Sequence, residues 1–292
     1  MPDTAPGRGI AMMLAALLCF ALLDATSKHL SQTFSVPLLV WARYTFHFLL
    51  MVVFLAPSRR SRLLQTRRPL LQVVRALLLV GVTGFAMAAF RIMPLAETTA
   101  ILFITPLFVA LLAGPLLGEK VGRLRWATVG AGCVGMLLIA RPGGALVSEG
   151  IVLCLIAAAC YALYQIQTRQ LSPTEDTVTM VFYTALVGTV SMSLALPWIW
   201  GGLANHWPTW LEALMIASLG IYGGTGHFLL IGAYRHATAS TLAPLGYVQL
   251  IWATLIGWLV YDALPDAMAF AGMAIIAAAG VALAWHARPR MQ

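Results

Sequence analysis

The sequence predicts an all-α membrane protein of ten transmembrane helices, built as two inverted five-helix repeats around a central cavity. Three observations predict it. Of 292 residues, 61% are hydrophobic and only 10% charged, with a mean hydropathy of +0.87, whereas soluble domains carry about a quarter charged residues. The apolar residues fall into ten runs, each near the ~20 residues that cross about 30 Å of hydrocarbon as a helix. Finally, GIAMMLAALLCFALLDATSKHLS at 9–31 returns as GIVLCLIAAACYALYQIQTRQLS at 150–172, an offset of 141. Nine positions are identical, among them Gly9/Gly150, Cys19/Cys160 and Leu30/Leu171.

The spans are taken in order. The first, 9–29, follows a lone Arg8 and resembles a secretory signal in position; its echo at 150 argues that it is retained. The second, 37–56, carries Arg43 and His47 one turn apart, and the third, 71–91, carries Gly81 and Gly84 and ends on AFR. The fourth, 97–117, opens on Glu97, contains Pro106 and closes on Gly118 and Glu119; the fifth, 124–140, contains GAGCVG, which reads as a packing face. The sixth, 150–169, is the echo of the first. The seventh is 178–200. The eighth, 210–233, holds Gly220, Gly223, Gly224 and Gly226 and runs into AYR; the ninth, 239–261, holds Pro244; the tenth, 267–286, is rich in alanine. Helices satisfy their own backbone in lipid, and no alternating barrel pattern is present.

The net charge of +8 follows from the positive-inside rule rather than from nucleic-acid binding. With the N-terminus inside, 14 of 18 Lys and Arg fall on the cytoplasmic side, Arg59, Arg60, Arg62, Arg67, Arg68 and Arg75 among them. Lys28, Arg43, Arg91 and Arg141 fall toward the other side. Both termini are therefore expected in the cytoplasm.

Five spans per half is an odd number, so a half that starts inside ends outside and its copy starts outside. The boundary falls between 1–141 and 142–292. Inverted repeats are a recurrent plan of secondary transporters, with the cargo site near mid-membrane between the halves. Duplication for packing alone is the alternative. A polar stripe weighs against it: Tyr161, Tyr164, Gln165 and Thr168 share one face of the sixth span, and Phe20, Leu23, Asp24 and Ser27 the equivalent face of the first. Such groups avoid lipid.

Asp24 is expected to pair with Lys28 or Arg43, with proton coupling as the sharper alternative. His47 and His227 read as hydrogen-bonded members of helix contacts rather than proton carriers. Glu97 is expected to pair with Arg91. Pro106 and Pro244 bend their spans, either as static kinks or as gating hinges. Cys19, Cys133, Cys154 and Cys160 read as small buried hydrophobes without disulfide or metal spacing.

PLAETTAILFITPLFVALLAGPLLGEKVG at 94–122, with its proline, Leu-Gly-Glu close and basic loop, resembles the fourth span of the drug/metabolite transporter superfamily, in its ten-span EamA-type branch; RPGG at 141–144 fits too. The resemblance implies alternating access around a cavity lined by Phe20, Phe85, Phe103, Tyr161, Tyr164, Gln165, Tyr222, Tyr247, Gln249 and Trp252. The ninth span departs from the fourth, with Gln249 where Pro106 would align. The family includes bacterial exporters of aromatic amino acids, and the resemblance implies a bacterial inner (plasma) membrane location.

No nucleophile elbow, zinc-binding His motif or P-loop is present, and no selectivity-filter motif, so enzyme and channel readings fall away. No cofactor or metal is expected. The partners are a small-molecule substrate and the lipid bilayer; oligomeric state stays open, a monomer being allowed. Aromatics and amides with little fixed charge suit a neutral amphipathic cargo. An aromatic or apolar amino acid, exported, is the leading expectation; riboflavin or S-adenosylmethionine is the alternative.

Overall fold

The computed structural model describes residues 6–59, 63–117, 122–140, 148–199, 207–237 and 242–286. Among them there is no strand. The helices are α1 (Pro6–Leu30), α2 (Val36–Arg59), α3 (Pro69–Ile92), α4 (Leu95–Leu102), α5 (Thr105–Leu117), α6 (Arg123–Ala140), α7 (Ser148–Leu171), α8 (Thr177–Ile199), α9 (Trp210–His236), α10 (Val248–Tyr261) and α11 (Ala267–His286). Six of them are each long and apolar enough to cross a membrane; the remaining apolar segments, Leu95–Val109, Trp126–Ala140, Leu245–Tyr261 and Ala267–Ala282, are shorter. α4 and α5 together form the fourth span.

Local sequence fixes the ends. Pro69 opens α3, where its missing N–H costs no helical bond. Thr209 and Glu212 form a capping box at the start of α9. α10 stops at Asp262, whose φ of 50° is left-handed, with Ala263 N–H bonded to Gly257 O and Asp262 N–H to Trp258 O.

The two prolines act differently. Pro106 cannot donate to the carbonyl of Leu102, and the chain breaks there between α4 and α5. The hydroxyl of Thr105 donates to that carbonyl instead, at 2.8 Å. Pro244 does not bend a helix interior. It lies in the first turn of a 3-10 segment, Ala243–Tyr247, that precedes α10, where a proline removes no needed bond.

The helices pair as inverted repeats require. α1 lies along α9 and α7 along α3; α2 packs on α9 and α8 on α3; α1 meets α10 and α7 meets α5. Three pairs, α2 with α8, α4 with α10 and α6 with α11, join equivalent elements of the two halves. Call the side holding the start of α1 the near face and the side holding its end the far face. Large exposed apolar side chains, such as Phe54, Leu70, Leu194, Trp210 and Phe228, are the lipid-facing complement of this core.

Small residues set the close crossings. A Cβ on Gly220 would stand 2.7 Å from the backbone N of His47, so α9 touches α2 backbone to backbone. Gly135 and Gly272 do the same for α6 and α11, each facing the other's carbonyl oxygen. GAGCVG is thus a packing face in part, since Gly132 abuts Leu107 while Gly130 has open space around it. The four cysteines are free; Cys154 is buried, but Cys133 faces outward on α6, against expectation, because it lies on the side of α6 turned from the core.

Candidate functional site

At mid-depth the crossing of α2, α3, α7, α8 and α9 leaves a narrow pocket lined by Arg43, Tyr44, His47, Leu79, Tyr164, Val181, Thr184 and His227. Its free volume is about 10 Å³, room for about one water. A metabolite therefore requires the walls to part.

The rings form a continuous wall. His47 and His227 stack with centroids 6.3 Å apart and planes within 6°, and Phe20 meets His227 edge-on at 5.1 Å. Gly224 makes this possible, since a Cβ there would lie 3.2 Å from the His47 ring. The expected hydrogen bonding of His47 is corrected accordingly: with α9 this close, its partner is a ring face. Tyr161 stacks on Tyr164 at 5.7 Å. Tyr44 is fully buried, with its hydroxyl 2.9 Å from that of Thr83.

The charged residues pair differently from expectation. Asp24 accepts a hydrogen bond from Gln249 Nε2 at 3.1 Å, and makes no ion pair with Lys28 or Arg43. Lys28 reaches the other way, its Nζ donating to the carbonyls of Phe90 and Met93 at 2.8 and 2.7 Å and lying 5.5 Å from the Tyr261 ring centre. The reason is geometric. The last carbonyls of α3 lack intrahelical donors and end beside Lys28, and an ammonium satisfies two of them at once. Arg43 lines the pocket within electrostatic reach of Asp24. Glu97 does not pair with Arg91, which is exposed; Glu97 is buried, with Lys28 as its nearby cation.

Of the other expected lining residues, Tyr164 reaches the pocket directly. Gln165 is half-buried on α7, outside the lining. Phe103 and Tyr247 meet each other at 5.1 Å, and the Tyr247 hydroxyl lies over Gly280 of α11, away from the pocket. Phe85 packs against a cluster with Ala25, Phe90 and Ala157. Trp252 packs against Met13, Leu17 and Leu242, its indole N–H buried without an acceptor. Tyr222 packs on the far-face core with Leu23, Leu39 and Leu219.

Sequence reasoning missed Arg75. Assigned to the cytoplasmic basic run, it is 1% exposed inside α3. Its guanidinium donates to Met180 O, to Thr184 Oγ1 at 2.9 Å, and at 3.4 Å to Gln72 Oε1 and Thr168 Oγ1. It stands 5.0 Å from the Tyr164 ring centre. The available signal was its position inside a span, where a charge is a functional candidate by default. With Arg43 in the lining and Arg75 against its wall, the pocket is not poor in fixed charge, which corrects the expectation of a neutral site.

The EamA-like transporter family matches the chain twice, over residues 7–141 and 148–285. The chain is 27% identical to an S-adenosylmethionine uptake transporter of Rickettsia bellii, over 92% of this chain and 90% of that protein. It is 28% identical to a riboflavin transporter of Vibrio cholerae, over 93% and 91% of the two chains. It is 27% identical to the pseudopaline exporter CntI of Pseudomonas aeruginosa, over 94% and 95%. One solved crystal structure covers 98% of the chain with a TM-score of 0.63 at 20% identity, a likeness of fold alone.

Proposed function

The chain belongs to the EamA-like transporter family, a multi-pass membrane transporter, and from that premise we propose that it moves a small amphipathic metabolite bearing a carboxylate, by alternating access between its two repeats. One observation carries this reading: Arg43 lines a pocket together with the rings of Tyr44, His47, Tyr164 and His227 and with Leu79, Val181 and Thr184. A guanidinium in a low-dielectric site favours a carboxylate through charge-assisted bonds, and the rings favour an aromatic or apolar body. Asp24, held by Gln249 near Arg43, supplies the opposite charge that the ammonium of a zwitterion requires.

Aromatic and apolar amino acids meet these demands, and export from the cytoplasm is the direction proposed. The near face is then cytoplasmic, both termini lie in the cytoplasm, and the membrane is a bacterial inner membrane. S-adenosylmethionine is the second reading. It joins an amino-acid end to a heterocycle, and its support is the name of the Rickettsia relative.

Purified protein in liposomes loaded with labelled tryptophan, phenylalanine, methionine or S-adenosylmethionine tests the proposal. Saturable movement of one of them is expected, reduced at least tenfold in Arg43→Gln by the loss of about 1.4 kcal/mol or more of binding. Movement of riboflavin alone would overturn it.

A further inference from the structure

The two repeats place equivalent joints at the two faces, and their contents differ. On the near side α3 meets α8 through Arg75. The echo of AFR at 89–91 in AYR at 233–235 sets the offset between α3 and α9 at 144, so the counterpart of Arg75 is Leu219 and that of Gln72 is Ile216. Leu219 is fully buried among Leu23, Leu39, Val40 and Tyr44 where α9 meets α2. The fold therefore builds the same joint from leucine on the far side. A guanidinium is not needed to close it.

Arg75 is also incompletely neutralised. Its four acceptors are a carbonyl, two hydroxyls and an amide oxygen, and its Nε has no partner. The nearest carboxylate in this network is Glu175, one residue removed: it accepts from Gln72 Nε2 at 3.5 Å and from the backbone N–H of Arg67 at 2.9 Å. A buried cation without a contacting anion is costly, and apolar groups of similar volume serve packing at least as well. What it leaves is a positive field at Tyr164 and Thr184, the two of its neighbours that are pocket wall.

We propose that Arg75 is a specificity-determining positioning residue: it fixes Tyr164 and Thr184 and makes that end of the pocket cationic, so that the carboxylate of the cargo is drawn there in addition to Arg43. The proposal rests on the transporter reading given above and extends it to a residue outside the lining. Its consequence is a pocket that takes carboxylates in preference to their uncharged or cationic analogues. In a water-poor site a formal charge a few ångströms away discriminates strongly.

The test uses matched pairs that differ in the carboxylate: L-tryptophan with L-tryptophanamide, and S-adenosylmethionine with its decarboxylated form. Half-saturating concentrations come from ligand-induced thermal stabilisation of the purified protein in detergent. In Arg75→Met the carboxylate-bearing member is expected to weaken about tenfold and its partner little, while Arg75→Lys restores most of the loss. Should Arg75→Met fail to fold, Arg75→Gln keeps donors toward Met180 and Thr184, drops the charge, and carries the same expectation. Equal weakening of both members in all variants, or no weakening in any, overturns the role of Arg75 while leaving the carboxylate reading of the pocket standing. Wild-type protein that binds only the carboxylate-free members, or none of the four, overturns both.

Discussion

Gln249 of α10 donates a hydrogen bond to Asp24 of α1 across 225 positions of sequence, joining the two repeats through a carboxylate inside a span. The position aligned with Gln249 in the first repeat is Pro106, so the bond has no equivalent on the other side of the pseudo-two-fold axis. Replacing Gln249 with Leu leaves the carboxylate without its donor, at a cost of about 1–3 kcal/mol. A lower melting temperature in detergent is expected for Gln249→Leu, and a near-normal one for Asp24→Asn, which still accepts the bond. Equal stability of Gln249→Leu and wild type would show that the bond contributes nothing.

The break at Pro106 separates two effects. Thr105→Val strips the donor from the Leu102 carbonyl and is expected to destabilise by about 1–3 kcal/mol. Pro106→Ala restores a backbone donor and lets α4 and α5 merge. Its melting temperature should hold while the transport rate falls about tenfold, if bending at this point is part of the cycle. An unchanged rate with a merged helix would make the kink static.

Two glycines from the same sequence class should respond in opposite ways. Gly220→Ala forces a methyl against Phe46 and to 2.7 Å from the backbone N of His47, and is expected to cost about 1–3 kcal/mol. Gly84 has open space around it, so Gly84→Ala should be neutral or stabilising by up to about 1 kcal/mol through helix propensity. Thermal unfolding of the two variants side by side decides it.

These contrasts separate what a one-dimensional sequence carries from what only packing decides. Apolar length and the offset of 141 exposed the spans and the duplication, because both are one-dimensional properties. Pro106 was legible too, since a missing N–H acts on its own helix. The partner of Asp24 was not: helical spacing offered Lys28 one turn away, and the orphan carbonyls of Phe90 and Met93 that capture Lys28 belong to another helix. Arg75 was misread because counting charges near span ends cannot see Met180 O and Thr184 closing over it. Tyr247 was misplaced for a reason of pitch. Five residues of 3-10 turn before α10 rotate the helical phase by roughly 100° relative to an α-helix, at three residues per turn instead of 3.6.

Inversion itself has a direct test. Ser31 is buried against the Lys28 carbonyl, so its exposed neighbour Gln32 is the better reporter for the loop after α1, with exposed Ser172 for the loop after α7. In a background without native cysteines, Gln32→Cys should react with an impermeant thiol reagent from outside the cell and Ser172→Cys only after permeabilisation. Reaction of both from one side would refute the inverted arrangement and the cytoplasmic termini together.

Among the described residues, the far face carries contacts without a counterpart on the near face. α1 packs against α3 there through Lys28, and Tyr261 of α10 donates to the carbonyl of Ala25 at 2.6 Å. Among the described residues, the counterpart pair α7 and α9 makes no comparable packing contact. On the proposed alternating-access cycle such asymmetry is required in any one state, and a prediction follows for Lys28: its bonds to α3 must release for the far side to open. Lys28→Met removes two bonds to a charged donor, each worth about 1.5–3 kcal/mol, so the closed far face should lose at least tenfold in its equilibrium. Ala25→Cys, 8% exposed at that end of α1, reports the change. Its labelling from outside should accelerate about tenfold or more in Lys28→Met and return toward the parent rate in Lys28→Arg, which keeps the donors. An unaltered rate in Lys28→Met would mean that the face is closed by the apolar packing of α4 against α10, and the predicted role would pass from Lys28 to Leu95 and Gly257.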